Sequence, residues 1–120
     1  MNNQELLDEI KAAYRVHRLR PIRGFFFQAR KRYALACPLV ALAIYRGVVD
    51  RNDPEIAKDA ADNRAVEWGA QTFGEEWSWG FVDGFDRHTE KIDDPDYLEG
   101  YNFGAALAQE ILPGDLPLGL

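Results

Sequence analysis

"WSWGFVDGFD", residues 77–86, and "YLEGYNFGAA", residues 97–106, share one arrangement: Trp77, Gly80, Phe81 and Gly84 align with Tyr97, Gly100, Tyr101 and Gly104. Apart from the glycines, both stretches have the pattern of amphipathic helices. A glycine inside a helix costs roughly 1 kcal/mol relative to alanine, so four cost on the order of 4 kcal/mol. A small domain has only about 5–15 kcal/mol of net stability. The missing Cβ atoms offset that cost if another backbone comes close. The spacing therefore predicts that helices over 75–86 and 94–112 cross at Gly80, Gly84, Gly100 and Gly104, with aromatic rings covering the crossing. The competing reading is a ligand groove floored by these glycines and walled by Trp77, Phe81, Tyr97 and Tyr101.

Working outward, Asp94 followed by Pro95 is a helix start signal for the second glycine helix. Upstream, "PLVALAIYR" begins at Pro38, is apolar nearly all round and is followed by Gly47. It reads as a central buried helix over 38–46. Between them, Asp53 and Pro54 open a stretch with alanines at 57, 60, 61, 65 and 70, predicting one helix running to Gly74. Leu6, Ile10, Ala13 and His17 follow the helical period over 3–19, and Pro21 should stop that helix at Arg20. "IRGFFFQ" and "KRYALAC" read as the two strands of a hairpin over 22–36. The C-terminal "PGDLPLGL" is expected to pack through Leu116, Leu118 and Leu120. The expected fold is α+β and mostly α, a single domain over 1–120. Five helices are expected, packed around the buried central helix 38–46 as one of them, with one short two-stranded hairpin over 22–36.

The chain has 120 residues, a net charge of −6 and one cysteine. Its longest apolar run, Tyr33 to Tyr45, is interrupted by Pro38 and is too short to span a bilayer. The N-terminal sequence has neither the basic nor the apolar segment of a secretory signal. A lone cysteine fits a reducing compartment, so the expected location is the cytoplasm, with no membrane partner. The charge is strongly divided: residues 11–33 carry eight bases and no acid, whereas residues 50–115 carry seventeen acids and five bases. Such polarity points to interaction, unless the halves fold together and neutralise each other.

Candidate chemistry is sparse. Trp79, Asp83 and Asp86 fall on the helix face opposite the glycines, with His88 just beyond. Carboxylates at that spacing beside a histidine suit a divalent cation, but an acidic solvated face explains them equally, and no metal site is predicted. Trp79, with Phe103 on the corresponding face of the last helix, would anchor a basic partner, unless another segment of the fold covers either ring. Cys37 stands at a helix start, where thiolates are activated. Its apolar neighbours make it a structural thiol instead. No phosphate loop, dinucleotide fingerprint or nucleophile elbow is present, so neither a catalytic residue nor a cofactor is predicted.

"CPLVALAIY" after a basic, aromatic hairpin, followed by an alanine-rich helix and "GFVDGFD", resembles small uncharacterised bacterial and phage-encoded domains with a Cys-Pro-(Leu/Ile)-x-Ala helix start. The likeness covers residues 24–86 and implies a fold motif without an activity. The expected function is that of a non-enzymatic interaction or regulatory protein, of the immunity or phage-accessory kind. It would act on a protein partner through a charge-segregated surface formed by Arg15, Arg18, Arg30, Arg32, Trp79 and Asp83. Nucleic acid is the less favoured partner, through residues 11–33, and a homo-oligomer is compatible with the charge division. The alternative is a small enzyme or ligand-binding protein with its pocket between the helices 75–86 and 94–112.

Overall fold

The computed structural model describes residues 2–58 and 62–112. Helix α1 (Asn3–Val16) is capped by the Asn2 side chain, which accepts from the Glu5 amide, and buries Leu6, Ile10, Ala13 and Tyr14. It ends three residues earlier than its periodicity predicts, because Arg18 adopts a left-handed conformation with φ of 54°. That turn frees Leu19–Pro21 to become strand β1.

The sheet is larger than the expected hairpin. Strands β2 (Phe27–Ala29) and β3 (Ala34–Ala36) do pair antiparallel, but β1 adds in parallel on the other side of β3, giving the order β1-β3-β2. Leu19, Phe27, Ala34 and Ala36 face the core. The Tyr14 hydroxyl donates to the Ala36 carbonyl at 2.8 Å, fixing α1 to the sheet.

Helix α2 (Pro38–Tyr45) is buried from Pro38 through Ile44. It closes in a Schellman turn: Gly47, at φ of 74°, donates to Ile44 and Val48 donates to Ala43. Glycine supplies the left-handed residue at little cost. Helix α2 packs on α1, β3 and α3.

The single helix expected from Asp53 to Gly74 is divided. Asp53 caps only a short 3₁₀ turn, Pro54–Ala57, and α3 (Arg64–Phe73) starts afresh at Asn63. Asn63 is 1% exposed. Its Oδ1 accepts from the amides of Ala65 and Val66, while its Nδ2 donates to the carbonyls of Ile56 and Lys58. One side chain thus caps α3 and ties the preceding turn to it. Of the alanines expected in one continuous helix, Ala60 and Ala61 lie outside the described residues, as do Leu116, Leu118 and Leu120.

Helices α4 (Glu75–Phe85) and α5 (Pro95–Ile111) form the tightest pair in the molecule. An ideal Cβ would fall 1.9 Å from the Tyr97 carbonyl oxygen at Gly80 and 2.0 Å from that of Tyr101 at Gly84. At Gly100 it would lie 2.0 Å from the Trp77 oxygen, and at Gly104 2.2 Å from that of Phe81. The contact is reciprocal, backbone on backbone. Trp77, Phe81 and Phe103 stack along one side with ring centroids 5.2–5.6 Å apart. Phe103 is therefore buried, not on the outer face where its sequence position placed it. The α4–α5 pair docks on α3 and α1 instead of wrapping α2 directly, although Phe81, Phe85 and Leu107 join the same continuous core as α2.

Candidate binding cleft

The touching backbones of α4 and α5 leave no groove for a ligand between the glycine helices. A partly open cleft of about 660 Å³ lies on the other side of α4. Its apolar floor comes from three directions: Phe26 after the β1–β2 loop, Leu39 of α2, and Val66 and Ala70 of α3. Val82 of α4 completes it. Acids stand around this floor, Glu67 on α3, Glu75 and Asp83 on α4 and Asp86 at its C-terminal cap, with Trp79 and His88 alongside. Trp79 is 59% exposed, so its indole presents an open face at the rim.

Asp83, read from sequence as part of a solvated acidic face, is in fact 6% exposed and fully engaged. Tyr97 donates its hydroxyl to Asp83 Oδ2 at 2.7 Å. Lys91 Nζ lies 3.4 Å from Oδ1, and His88 Nδ1 lies 3.5 Å from the same oxygen. Burial, and then the bond to Asp83, push the Tyr97 hydroxyl above its usual range. The turn after α4 creates this grouping. Arg87 takes φ of 60°, Arg87 donates to Gly84, and His88 donates to Asp83 through the backbone. This repeats the Schellman geometry at the end of α2, with arginine in the glycine position. Two tyrosines then hold the connector: the Lys91 amide donates to the Tyr97 hydroxyl, and the Tyr101 hydroxyl donates to the His88 carbonyl.

Asp86 closes the other end of the cleft. Burial raises its carboxyl above the usual range, against the amide of Gly24 and the charges of His88 and Arg23, which draw it down. Arg23 Nε donates to the Phe85 carbonyl at 2.9 Å, so the β1–β2 loop is latched to the C-terminus of α4. Gly24, at φ of 91°, makes that approach feasible. Among the described residues, no group of three or more His, Cys, Asp and Glu side chains is placed to hold a metal ion.

The other residues singled out by sequence lie elsewhere. Arg15, Arg18, Arg30 and Arg32 are all exposed, none lines the cleft, and none makes an ion pair with a described residue. The only ion pair that joins a base of 11–33 to the acidic half among the described residues is Lys11–Glu110, at 3.0 Å. Cys37 is 3% exposed, and burial pushes its thiol up to about 12. Asp86 joins Trp79 and Asp83 in the cleft, as their shared helix face implies, while Phe26 and Glu67 line it without any signal in the sequence. The cleft assembles from four segments distant in sequence, so no local pattern marks them as neighbours.

No protein-family model, curated protein or solved structure matches this chain. Among the described residues, no helix is long and apolar enough to cross a membrane.

Proposed function

We propose that the protein is a non-enzymatic interaction protein that takes up a basic, partly apolar segment of a protein partner in the cleft beside α4. The observation that carries this reading is the pairing of an apolar floor with the accessible acidic margin of Glu67, Glu75 and Asp86 and the open indole of Trp79. An aliphatic stem fits the floor, a guanidinium or ammonium group fits the carboxylates, and a cation over an indole gains about 0.5–1 kcal/mol at an exposed site. Exposed tryptophan is also the residue type that most often anchors an interface. The second reading, a small ligand in the same cleft, rests on its volume, which lies within the usual range of about 300–1,000 Å³ for ligand pockets.

The test uses a short peptide alternating arginine and leucine, with an alternating glutamate and leucine peptide as control, followed by tryptophan emission. Binding of the arginine peptide alone is expected, with loss in Trp79→Ala and in Glu75→Lys. Equal binding of both peptides, or unchanged binding in both variants, refutes the reading.

A further inference from the structure

The three-stranded sheet has two faces, and only one packs on the core. Alternation along the strands puts Leu19, Phe27, Ala34 and Ala36 inside, and all four are buried. The other face carries Arg20 on β1, Leu35 on β3 and Gln28 on β2, which are direct partners across the sheet. The β2–β3 ladder continues one step, with the Arg30 amide donating to the Tyr33 carbonyl at 2.9 Å, so Arg30 and Tyr33 extend this outer face. The Arg20 guanidinium lies 4.0 Å from the centre of the Tyr33 ring, which places both on the same side. Lys31 and Arg32 form the adjoining turn, and Arg18 sits at the foot of β1. Arg18, Arg20, Arg30, Lys31 and Arg32 are all exposed, and none has an ion pair or a side-chain hydrogen bond to a described residue.

We infer that this open sheet face binds single-stranded nucleic acid, independently of the acidic cleft. Arg20 pairs with Leu35 on one edge of the sheet, and Arg30 faces Tyr33 one step beyond the β2–β3 ladder on the other, so the two arginines lie diagonally, about 12 Å apart by two strand spacings and a two-residue offset. Cations flanking a ring suit a chain whose phosphates need positive charge and whose bases need a planar surface, and both arginine planes and aromatic rings accept a stacked base. Arg20 packs its guanidinium on the Tyr33 ring, and the side chains of Arg18, Arg30, Lys31 and Arg32 have no internal partner among the described residues; this concentration of positive charge matches a polyanion and leaves little for a neutral or basic protein to recognise. The net charge of −6 does not forbid this. The molecule extends 40 Å along its longest axis, and at 0.1 M salt charges are screened over about 10 Å.

The experiment is fluorescence anisotropy of a labelled RNA of about 15 nucleotides, a length within the usual range for one small binding surface, with the matched duplex in parallel. Single-strand binding is expected. If four arginines each neutralise a phosphate, affinity should fall about 50-fold between 50 and 200 mM salt. Tyr33→Ala should weaken binding by between about 5- and 150-fold through lost stacking. The double variant Arg30→Glu with Arg32→Glu should remove binding while the melting temperature holds, since neither side chain has a partner in the fold. Arg18→Glu with Lys31→Glu is an independent pair against the same expectation. The inference is overturned by absence of binding at 50 mM salt, by duplex binding as tight as single strand, or by full affinity in either charge-reversed pair.

Discussion

Replacing Gly80 by alanine puts a methyl carbon 1.9 Å from the Tyr97 carbonyl oxygen, with the Tyr101 amide nitrogen at 2.9 Å. The obstacle is helix backbone, which cannot rotate aside as a side-chain tip can. Carbon–oxygen contact becomes ordinary near 3.4 Å, so the four positions fall short by 1.2 to 1.5 Å. To accept one methyl, the α4 and α5 axes must part by about that amount, and a gap near 1 Å already forfeits a quarter to a half of each dispersion contact. The hydrogens in place of the Cβ atoms point at the carbonyl oxygens. Such Cα–H···O contacts contribute about 0.5–1 kcal/mol each, about 2–4 kcal/mol for four. That is close to the propensity cost of roughly 4 kcal/mol for the four glycines. A single alanine variant gains about 1 kcal/mol of propensity, against overpacking of typically 1–3 kcal/mol and more where nothing can yield. The expected net loss is about 2 kcal/mol, a fall in melting temperature on the order of 5–10 °C. Gly80→Ala combined with Gly104→Ala should cost less than the sum of the two, because helices already parted by one methyl accept the second more easily. Gly69→Ala is the control: its Cβ would meet only the Leu39 side chain, nearest atom at 2.7 Å, so its loss should be smaller. Thermal unfolding by circular dichroism reads all of these. If all four single variants melt at or above the wild-type temperature, the close crossing is wrong.

Cys37 should react slowly with a thiol reagent in native protein and rapidly in denaturant, since burial holds its thiol at about 12; fast native labelling would contradict that burial. Asn63→Ala should destabilise by about 2 kcal/mol or more, because it removes a helix cap of about 1 kcal/mol and leaves the Ile56 carbonyl without its donor; a denaturant midpoint within error of wild type would show that the cap is dispensable. Asp86 has a folded-state carboxyl raised by burial, so its contribution is fully present below the ordinary aspartate range and is lost as pH rises through the folded value. Asp86→Asn should therefore gain in melting temperature over wild type at pH 7, and the gain should shrink towards pH 3; an equal difference at both pH values would refute the assignment. Arg87→Gly, which relieves a left-handed arginine at φ of 60°, should raise stability by up to about 1 kcal/mol; a lower melting temperature would count against it.

Much of the helical layout follows from local chemistry. Pro38, Asp94 with Pro95, and the glycines at 47 and 74 act within one helical turn, and their positions agree with the ends of α2, α3 and α5 to within a residue. The matched glycines are equally local as a pattern, because close approach needs a missing Cβ wherever the partner comes from. Signals that depend on a distant partner were misread. The 3–19 period continues past Val16, yet Leu19–Pro21 leaves the helix because β3, some fifteen residues on, offers it a ladder. The alanine-rich stretch after Asp53 has helical propensity throughout, but Asn63 gains four hydrogen bonds by interrupting it, two of them to carbonyls on the preceding turn.

The candidate surfaces divide in the same way. Sequence alone determined the charge division, with the bases gathered before residue 34 and the acids after residue 49, and it marked Arg15, Arg18, Arg30, Arg32 and Trp79 as outward-facing. All five are exposed. Only the tertiary structure decided that Asp83 is buried under Tyr97, Lys91 and His88, that the cleft lies behind α4 and not between the glycine helices, and that Arg20, Tyr33 and Arg30 share one face of a sheet. The physical reason is that charge and helical periodicity are properties of neighbouring residues. A cleft or a sheet face is set by how far apart segments of chain pack, and the burial energy that chooses the packing belongs to the whole core at once.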